Sequence, residues 1–329
     1  MPPSSAGDLN IRNCRHLFGD VPGVVEAVTM ARIVVVGAGV VGQSYAALLG
    51  SAGHEMVMVA RGERAERLRR AGLGVLIDGT RVVAPCDVVA TATDVAADAV
   101  LLAVRGEQFV SVLDQAAVSS APLVISLTNP LGAMGRAAEV IGAGRLVWGF
   151  SGLGGGPRDG VVHAHVVRQQ HTVVQSDAPG SVAARHLLEA TGLPVDNEPH
   201  MTDWFATHNV FIAGMAAAIL AHPDGAAHVA GSRAEAARLV TAMREGFDVL
   251  EDQGVQVRPK PLRVIFGRVP TFLAASYWKR QFATPMVTVS MQPHAVATKD
   301  TEMAAVFDHA LTLVGDRAPR YSALINTAR

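Results

Sequence analysis

The chain has 329 residues, half of them apolar, and a formal net charge of −1. That length allows two domains of ordinary size and a large core, while the near-neutral charge gives no electrostatic ground for a nucleic acid or an anionic membrane as partner. Two cysteines, Cys14 and Cys86, are too few for a disulfide framework or a metal cluster, which fits inert thiols in a reducing cytoplasm.

Residues 1–29 open with MPPSSAGDLN, polar and rich in Pro and Ser. They read as a loose N-terminal extension, with Met30 as a candidate natural start and no secretory signal. Ile33 to Val36 then form a short, fully apolar, β-branched run, the pattern of a strand buried on both faces of a parallel sheet. Gly37, Ala38, Gly39, Val40, Val41 and Gly42 follow as G-x-G-x-x-G and lead into a helical pattern, QSYAALLGSAG. The first glycine permits a tight turn, the second a close approach of a pyrophosphate, the third close packing of helix on strand. The N–H groups at the start of that helix suit phosphate oxygens. A second strand, Glu55 to Ala60, comes at the expected distance. It ends in Ala60-Arg61-Gly62, where an NAD site usually carries an acidic residue for the ribose 2′-OH. The planar fork of Arg61 suits a 2′-phosphate, so NADP(H) is the expected cofactor.

Ala99 to Val104 is the next buried strand and ends at Arg105; Leu123 to Leu127 ends at Thr128-Asn129-Pro130. Ligands of such sheets sit outside the carboxyl ends of the strands. Arg105 is therefore expected at the nicotinamide side of the cofactor or on an acidic substrate. Asn129 is expected at the nicotinamide ribose or the substrate. After Arg145, RLVWGFSGLGGG, VVHAHVV and HTVVQS read as short strands in hairpins, an antiparallel extension of the sheet. His163 and His165 alternate along one of them with no further metal partner in view, so no metal site is expected. Ser181 to Thr191 reads as a helix.

From Met201 strands largely disappear. Trp204 to Pro223 is uncharged and long enough to span a bilayer, but it carries His208, Asn209 and His222 and lacks leucine density. A buried helix capped by Asp203 is expected. Trp204, His208, Phe211 and Met215 share one stripe of it, which makes a core histidine the plain reading of His208. Ser232 caps a second amphipathic helix, and a last one runs from about Thr301. The expected organisation is a loose segment over 1–29, an α/β Rossmann-type domain with an antiparallel extension over 30–199, and an all-helical substrate domain over 200–329.

The chain resembles the ketopantoate reductase (2-dehydropantoate 2-reductase) family from about Met30 onward, most strongly in VGAGVVG, GHEMVMVARGE and DAVLLAVRGEQ. The resemblance implies a 6-phosphogluconate dehydrogenase-like arrangement of the two domains. Asn129 matches the active-site asparagine of the family. Ser290-Met291 and Thr301-Glu302-Met303 repeat its S-S-M and T-E-I-D segments, which makes Ser290 and Glu302 substrate-binding residues by resemblance. Family members typically carry lysine where Arg105 stands. The motif W-x-K-x-x-x-N-x-x-x-N-P, whose lysine protonates the product alkoxide, is altered. With Asn209 in the first asparagine's place, Phe205 takes the lysine position; aligned on Trp204, Ala206 takes it.

An NADPH-dependent reductase of a small 2-oxo acid or related carbonyl compound is thus expected, a divergent relative lacking the family's lysine, cytoplasmic, with a homodimer allowed. His208 beside Asn209, or His294 four residues after Ser290, would supply the proton. Two alternatives stand beside it: an imine reductase or opine-type dehydrogenase, and a non-catalytic NADP(H)-binding protein.

Overall fold

A computed structural model describes residues 30–93, 95–118 and 121–329 of the chain; the expected N-terminal extension lies outside the described residues. The β-branched run forms β1 (Arg32–Val36), and the glycine turn leads into α1 (Val40–Ser51). Then come β2 (Glu55–Val59), α2 (Gly62–Ala71), β3 (Leu73–Ile77), β4 (Thr80–Ala84) and β5 (Asp87–Val89). The sheet resumes with β6 (Ala99–Leu102), α3 (Phe109–Val118), β7 (Leu123–Ser126) and α4 (Met134–Ala137). The α/β part closes with β8 (Leu146–Phe150), β9 (Leu153–Arg158), β10 (Val161–Val166), β11 (Thr172–Gln175), α5 (Ser181–Glu189) and β12 (Val195–Glu198).

The main sheet has eight strands in the order β12-β11-β8-β7-β6-β1-β2-β5. From β8 to β5 every neighbour is parallel, so both faces must be covered, and the apolar runs of β1, β6 and β7 have that cause. The chain runs outward from β1 through β2 and then crosses back to β6 on the other side of β1. That reversal opens the crevice in which ligands of this architecture bind, at the carboxyl ends of β1 and β6.

The expected antiparallel extension is present but divided. Strand β11 runs antiparallel to β8 and carries β12 parallel to itself. The hairpin of β9 and β10 leaves the main sheet and joins β3 and β4 in a four-stranded sheet, β4-β3-β10-β9. Helix α1 lies between the two sheets and packs on both. Its Tyr45 hydroxyl shares a 2.6 Å hydrogen bond with Thr172 and accepts one from the Gly152 amide, all buried. That satisfied polar contact pins the helix to the turn between β8 and β9, and burial raises the Tyr45 pKa.

Everything from Met201 onward is helical: α6 (Met201–Leu220), α7 (Ala226–Gly231), α8 (Arg233–Asp252), α9 (Lys260–Arg263), α10 (Thr271–Phe282), α11 (Gln292–Ala297), α12 (Ala304–Val314) and α13 (Pro319–Asn326). Helix α6 begins three residues before the expected start. Asp203 does not cap it; its carboxylate accepts from the Gln256 amide instead, fastening a loop to the first turn. Ser232 does cap α8, accepting from the Glu235 amide at 3.2 Å. Helix α6 is buried on nearly every side, against α8, α12 and α13, which explains its uncharged sequence from Trp204 onward. Among the described residues no helix is long and apolar enough to cross a membrane. The last helix expected from about Thr301 instead starts with a π-helical turn, Lys299–Met303, before α12.

The first turns of α6 are rooted in the core of the main sheet. Phe205 meets Trp148 edge-on at 5.9 Å, and Trp204 meets Phe150 at 5.1 Å. A buried ion pair, Arg258 to Glu198 at 2.9 Å, adds a second tie between the end of β12 and the helices. Together they hold α6 across the carboxyl ends of the strands.

Candidate active site

The glycine turn shows what each glycine is for. Gly37 has φ +117, and a Cβ there would lie 2.5 Å from the Ala103 carbonyl oxygen at the end of β6. A Cβ on Gly42 would lie 1.8 Å from the Gly37 carbonyl oxygen, so this close approach of helix to strand needs glycine. Gly39 is different: a Cβ there meets nothing within 4 Å. The open space over Gly39 lies at the start of α1, where the amides of Val40, Val41 and Gly42 precede the first intrahelical bond, Gln43 N–H to the Gly39 carbonyl. Ala38 is buried, and Val40 and Val41 are half-buried against the core. No acidic side chain occupies that first turn. The residues present therefore fit a dinucleotide diphosphate. Arg61 follows β2, immediately ahead of α2, and is exposed.

Across the crevice, two asparagines from opposite halves of the chain form a closed amide pair. Asn129 Nδ2 donates to Asn209 Oδ1 at 2.8 Å, and Asn209 Nδ2 donates to Asn129 Oδ1 at 3.2 Å. Asn209 Nδ2 also donates to the Phe205 carbonyl one helical turn below. The Leu131 amide donates to Asn129 Oδ1, so Asn129 braces the loop at Pro130 and its side chain still reaches α6. One of the two Nδ2 hydrogens of Asn129 is used in the pair, leaving the other for a ligand. His309 of α12 lies against the same loop at Gly132, and burial lowers its pKa.

Arg105 and Glu302 also meet across the crevice, Nε to Oε2 at 3.8 Å. His294 approaches the same oxygen, Nε2 to Oε2 at 3.4 Å. That oxygen is buried and makes no hydrogen bond, so a negative oxygen stands between two nitrogen donors without being satisfied by either. An unsatisfied buried acceptor of this kind is costly unless a ligand completes it. Ser290 is turned toward the second sheet, where its Oγ shares a 2.7 Å hydrogen bond with His165 Nε2. The 125 residues between Ser290 and His165 hid this partnership from the sequence.

His208 lies one residue from Asn209 but faces another way. Its ring stacks on Trp204 at 4.8 Å with an interplanar angle of 11° and contacts Phe150 at 4.4 Å. Burial among these rings lowers its pKa to about 3, so the imidazole is neutral at physiological pH. The sign of the resulting pH dependence is fixed. The unfolded chain takes up a proton near pH 6.5 that the folded chain refuses until about pH 3. The stabilising effect of a neutral His208 is complete above pH 6.5 and is lost as pH falls from there toward 3. Thermal melts between pH 7 and pH 4 should show stability falling by up to roughly 1 kcal/mol per pH unit from this group. The same series on His208→Phe should have a shallower slope; an identical slope would mean that the ring is not held neutral.

Residues 33–179 match the family model described as Ketopantoate reductase PanE/ApbA. Solved structures share the fold over nearly the whole chain. The 2-dehydropantoate 2-reductase from Geobacter metallireducens GS-15 aligns with a TM-score of 0.71 at 17% identity, covering 90% of this chain and 98% of its own. The PanE/ApbA family ketopantoate reductase from Ralstonia eutropha JMP134 gives 0.68 at 19%, covering 91% and 97%. The ternary structure of D-mandelate dehydrogenase with NADH and anilino(oxo)acetate gives 0.69 at 14%, covering 90% and 96%. No curated protein matches the chain by sequence.

Proposed function

From the match of residues 33–179 to the family model described as Ketopantoate reductase PanE/ApbA, we propose that the chain is a member of that family and an NADPH-dependent reductase of a small 2-oxo acid or related carbonyl compound. The observation that carries this reading is the meeting of Arg105, Glu302 and His294, together with the Asn129–Asn209 pair, in a fold whose glycine turn leaves open space over Gly39. D-mandelate dehydrogenase, whose structure contains NADH and anilino(oxo)acetate, supports a 2-oxo acid as the substrate class.

A bound nicotinamide supplies the hydride that reduces the carbonyl carbon. The chain must hold the substrate, stabilise the oxygen as charge develops on it, and deliver one proton. Arg105 is exposed at the mouth of β6 and takes the substrate carboxylate as a charge-assisted pair. Asn129, pinned by Asn209, directs its remaining Nδ2–H at the carbonyl oxygen. Helix α6 carries no lysine between Met201 and Leu220, and its histidine is neutral and stacked. The proton therefore comes from His294, whose Nε2 lies 3.4 Å from Glu302 Oε2. His208 serves in packing, fixing the turn of α6 from which Asn209 projects.

Arg61 selects the cofactor by pairing with a 2′-phosphate. Arg61→Ala is expected to weaken NADPH by about 10- to 100-fold, the range for hydrogen bonds to a charged group, with NADH little changed. Equal losses would defeat the phosphate assignment.

The reaction itself is tested by following NADPH oxidation with a panel of 2-oxo acids, with and without amines. Turnover on an oxo acid alone is the expected result. An absolute amine requirement would replace this reading with imine reduction, and tight NADPH binding without turnover would replace it with a sensing role.

A further inference from the structure

Far from the crevice, the C-terminal end of α6 is joined to α8 through a short turn and α7, and three potential ligands meet there. His222 follows the helix, His228 lies in α7, and Glu235 lies in the first turn of α8, spaced as H-x5-H-x6-E. One ligand atom from each lies within 4.8 Å of the other two. From Asn209 to the end of α6 is eleven residues, about 16 Å of helix, so this cluster lies apart from the asparagine pair. We propose that His222, His228 and Glu235 bind one divalent transition-metal ion, zinc being the ion that suits them best.

The donor set is the first argument. Two imidazoles and one carboxylate are ligands for zinc and its neighbours, not for calcium or magnesium. Two ligand atoms on a tetrahedral zinc lie about 3.4 Å apart, so separations up to 4.8 Å close by side-chain rotation without movement of the backbone. The two histidine rings lie face to face, with centroids 3.5 Å apart and planes 17° from parallel, and must rotate apart to turn one nitrogen each toward a shared ion.

The scaffold is the second argument, because each ligand is carried on a hydrogen-bonded backbone. The His222 carbonyl accepts from Gly225, the Gly225 carbonyl from His228, and the His228 carbonyl from Ser232. Ser232 Oγ then caps α8 at Glu235. Gln292 braces the turn from outside, its Oε1 accepting from the Ala226 amide at 2.8 Å. Arg238 grips Glu235 Oε2 through Nε and Nη2, each at 2.9 Å, and so orients the carboxylate as outer partners of metal ligands do. Three protein ligands leave a fourth position, and a cleft of about 410 Å³ lined by Asp224, Ala227, His228, Gly231 and Ser232 adjoins it. An ion held there cross-links the end of α6, α7 and the start of α8.

The test uses the full-length chain, stripped with a chelator and exchanged into metal-free buffer. Cobalt(II) is titrated and followed by its visible absorption, zinc by calorimetry and by thermal melting. The expected result is one ion per chain, a rise in melting temperature on adding zinc, and a loss of affinity of at least tenfold in Glu235→Gln. The double variant His222→Gln/His228→Gln should lose stoichiometric uptake while keeping its circular dichroism and its nucleotide binding. Should that double variant fail to fold, Glu235→Gln alone decides. Absence of stoichiometric uptake by the wild-type chain, or affinity unchanged in these variants, would overturn the site.

Discussion

Gly39→Val should abolish uptake of nicotinamide nucleotide, by more than about 100-fold, and leave the melting temperature where it was. The two halves of this expectation have one cause. Gly39 sits at φ −83 in extended backbone, which any residue adopts, and a Cβ there meets no protein atom within 4 Å. The fold is indifferent to a side chain at that point. The diphosphate is not, because it must rest on the amides that a valine would cover. Gly42→Ala makes the contrast: its Cβ would lie 1.8 Å from the Gly37 carbonyl, so helix and strand must part, and stability and binding should fall together. Calorimetry with NADPH, paired with thermal melts, separates the two. Undiminished binding by the valine variant would mean that the nucleotide lies elsewhere.

His294→Gln should lower kcat by about 10² to 10⁴, the range for loss of a general acid, with NADPH affinity unchanged. Glu302→Gln should lower it comparably, since an amide of the same size no longer offers the ring a carboxylate oxygen. A His294→Gln variant that keeps the rate would return the proton to another donor. His208→Phe serves as the control. Its neutral, stacked ring gives no proton at physiological pH, so the rate should survive there.

The nucleotide half was legible because its signals are local. A β-branched run, a glycine triplet and a helix lie within twenty residues, and Gly37 and Gly42 answer to a strand beside them or a neighbour close in the chain. Strands β3 and β4 were missed, although Asp78-Gly79 between them is a hairpin signal and both residues take positive φ. Strand β3 is half-buried in alternation and stands apart from the continuous apolar runs of the main sheet. The hairpin of β9 and β10 was legible, but its sheet was not, because its partner β3 lies nearly ninety residues earlier. In the helical half, the apolar stripe through His208 already pointed to the core.

The sequence alone determined what lies within reach of short segments: the buried strands, the glycine turn, the arginine after the second strand and the uncharged run of the long helix. Tertiary structure decided the partnerships. Asn129 meets Asn209 across 80 residues, Glu302 stands between Arg105 and His294, Ser290 turns to His165, and His208 stacks on Trp204 and Phe150. A residue's type sets what it can donate or accept. Whether it is an acid, a clamp or packing depends on which charges and rings the fold brings within a few ångströms and on how far it removes water, and neither is written in the order of the residues.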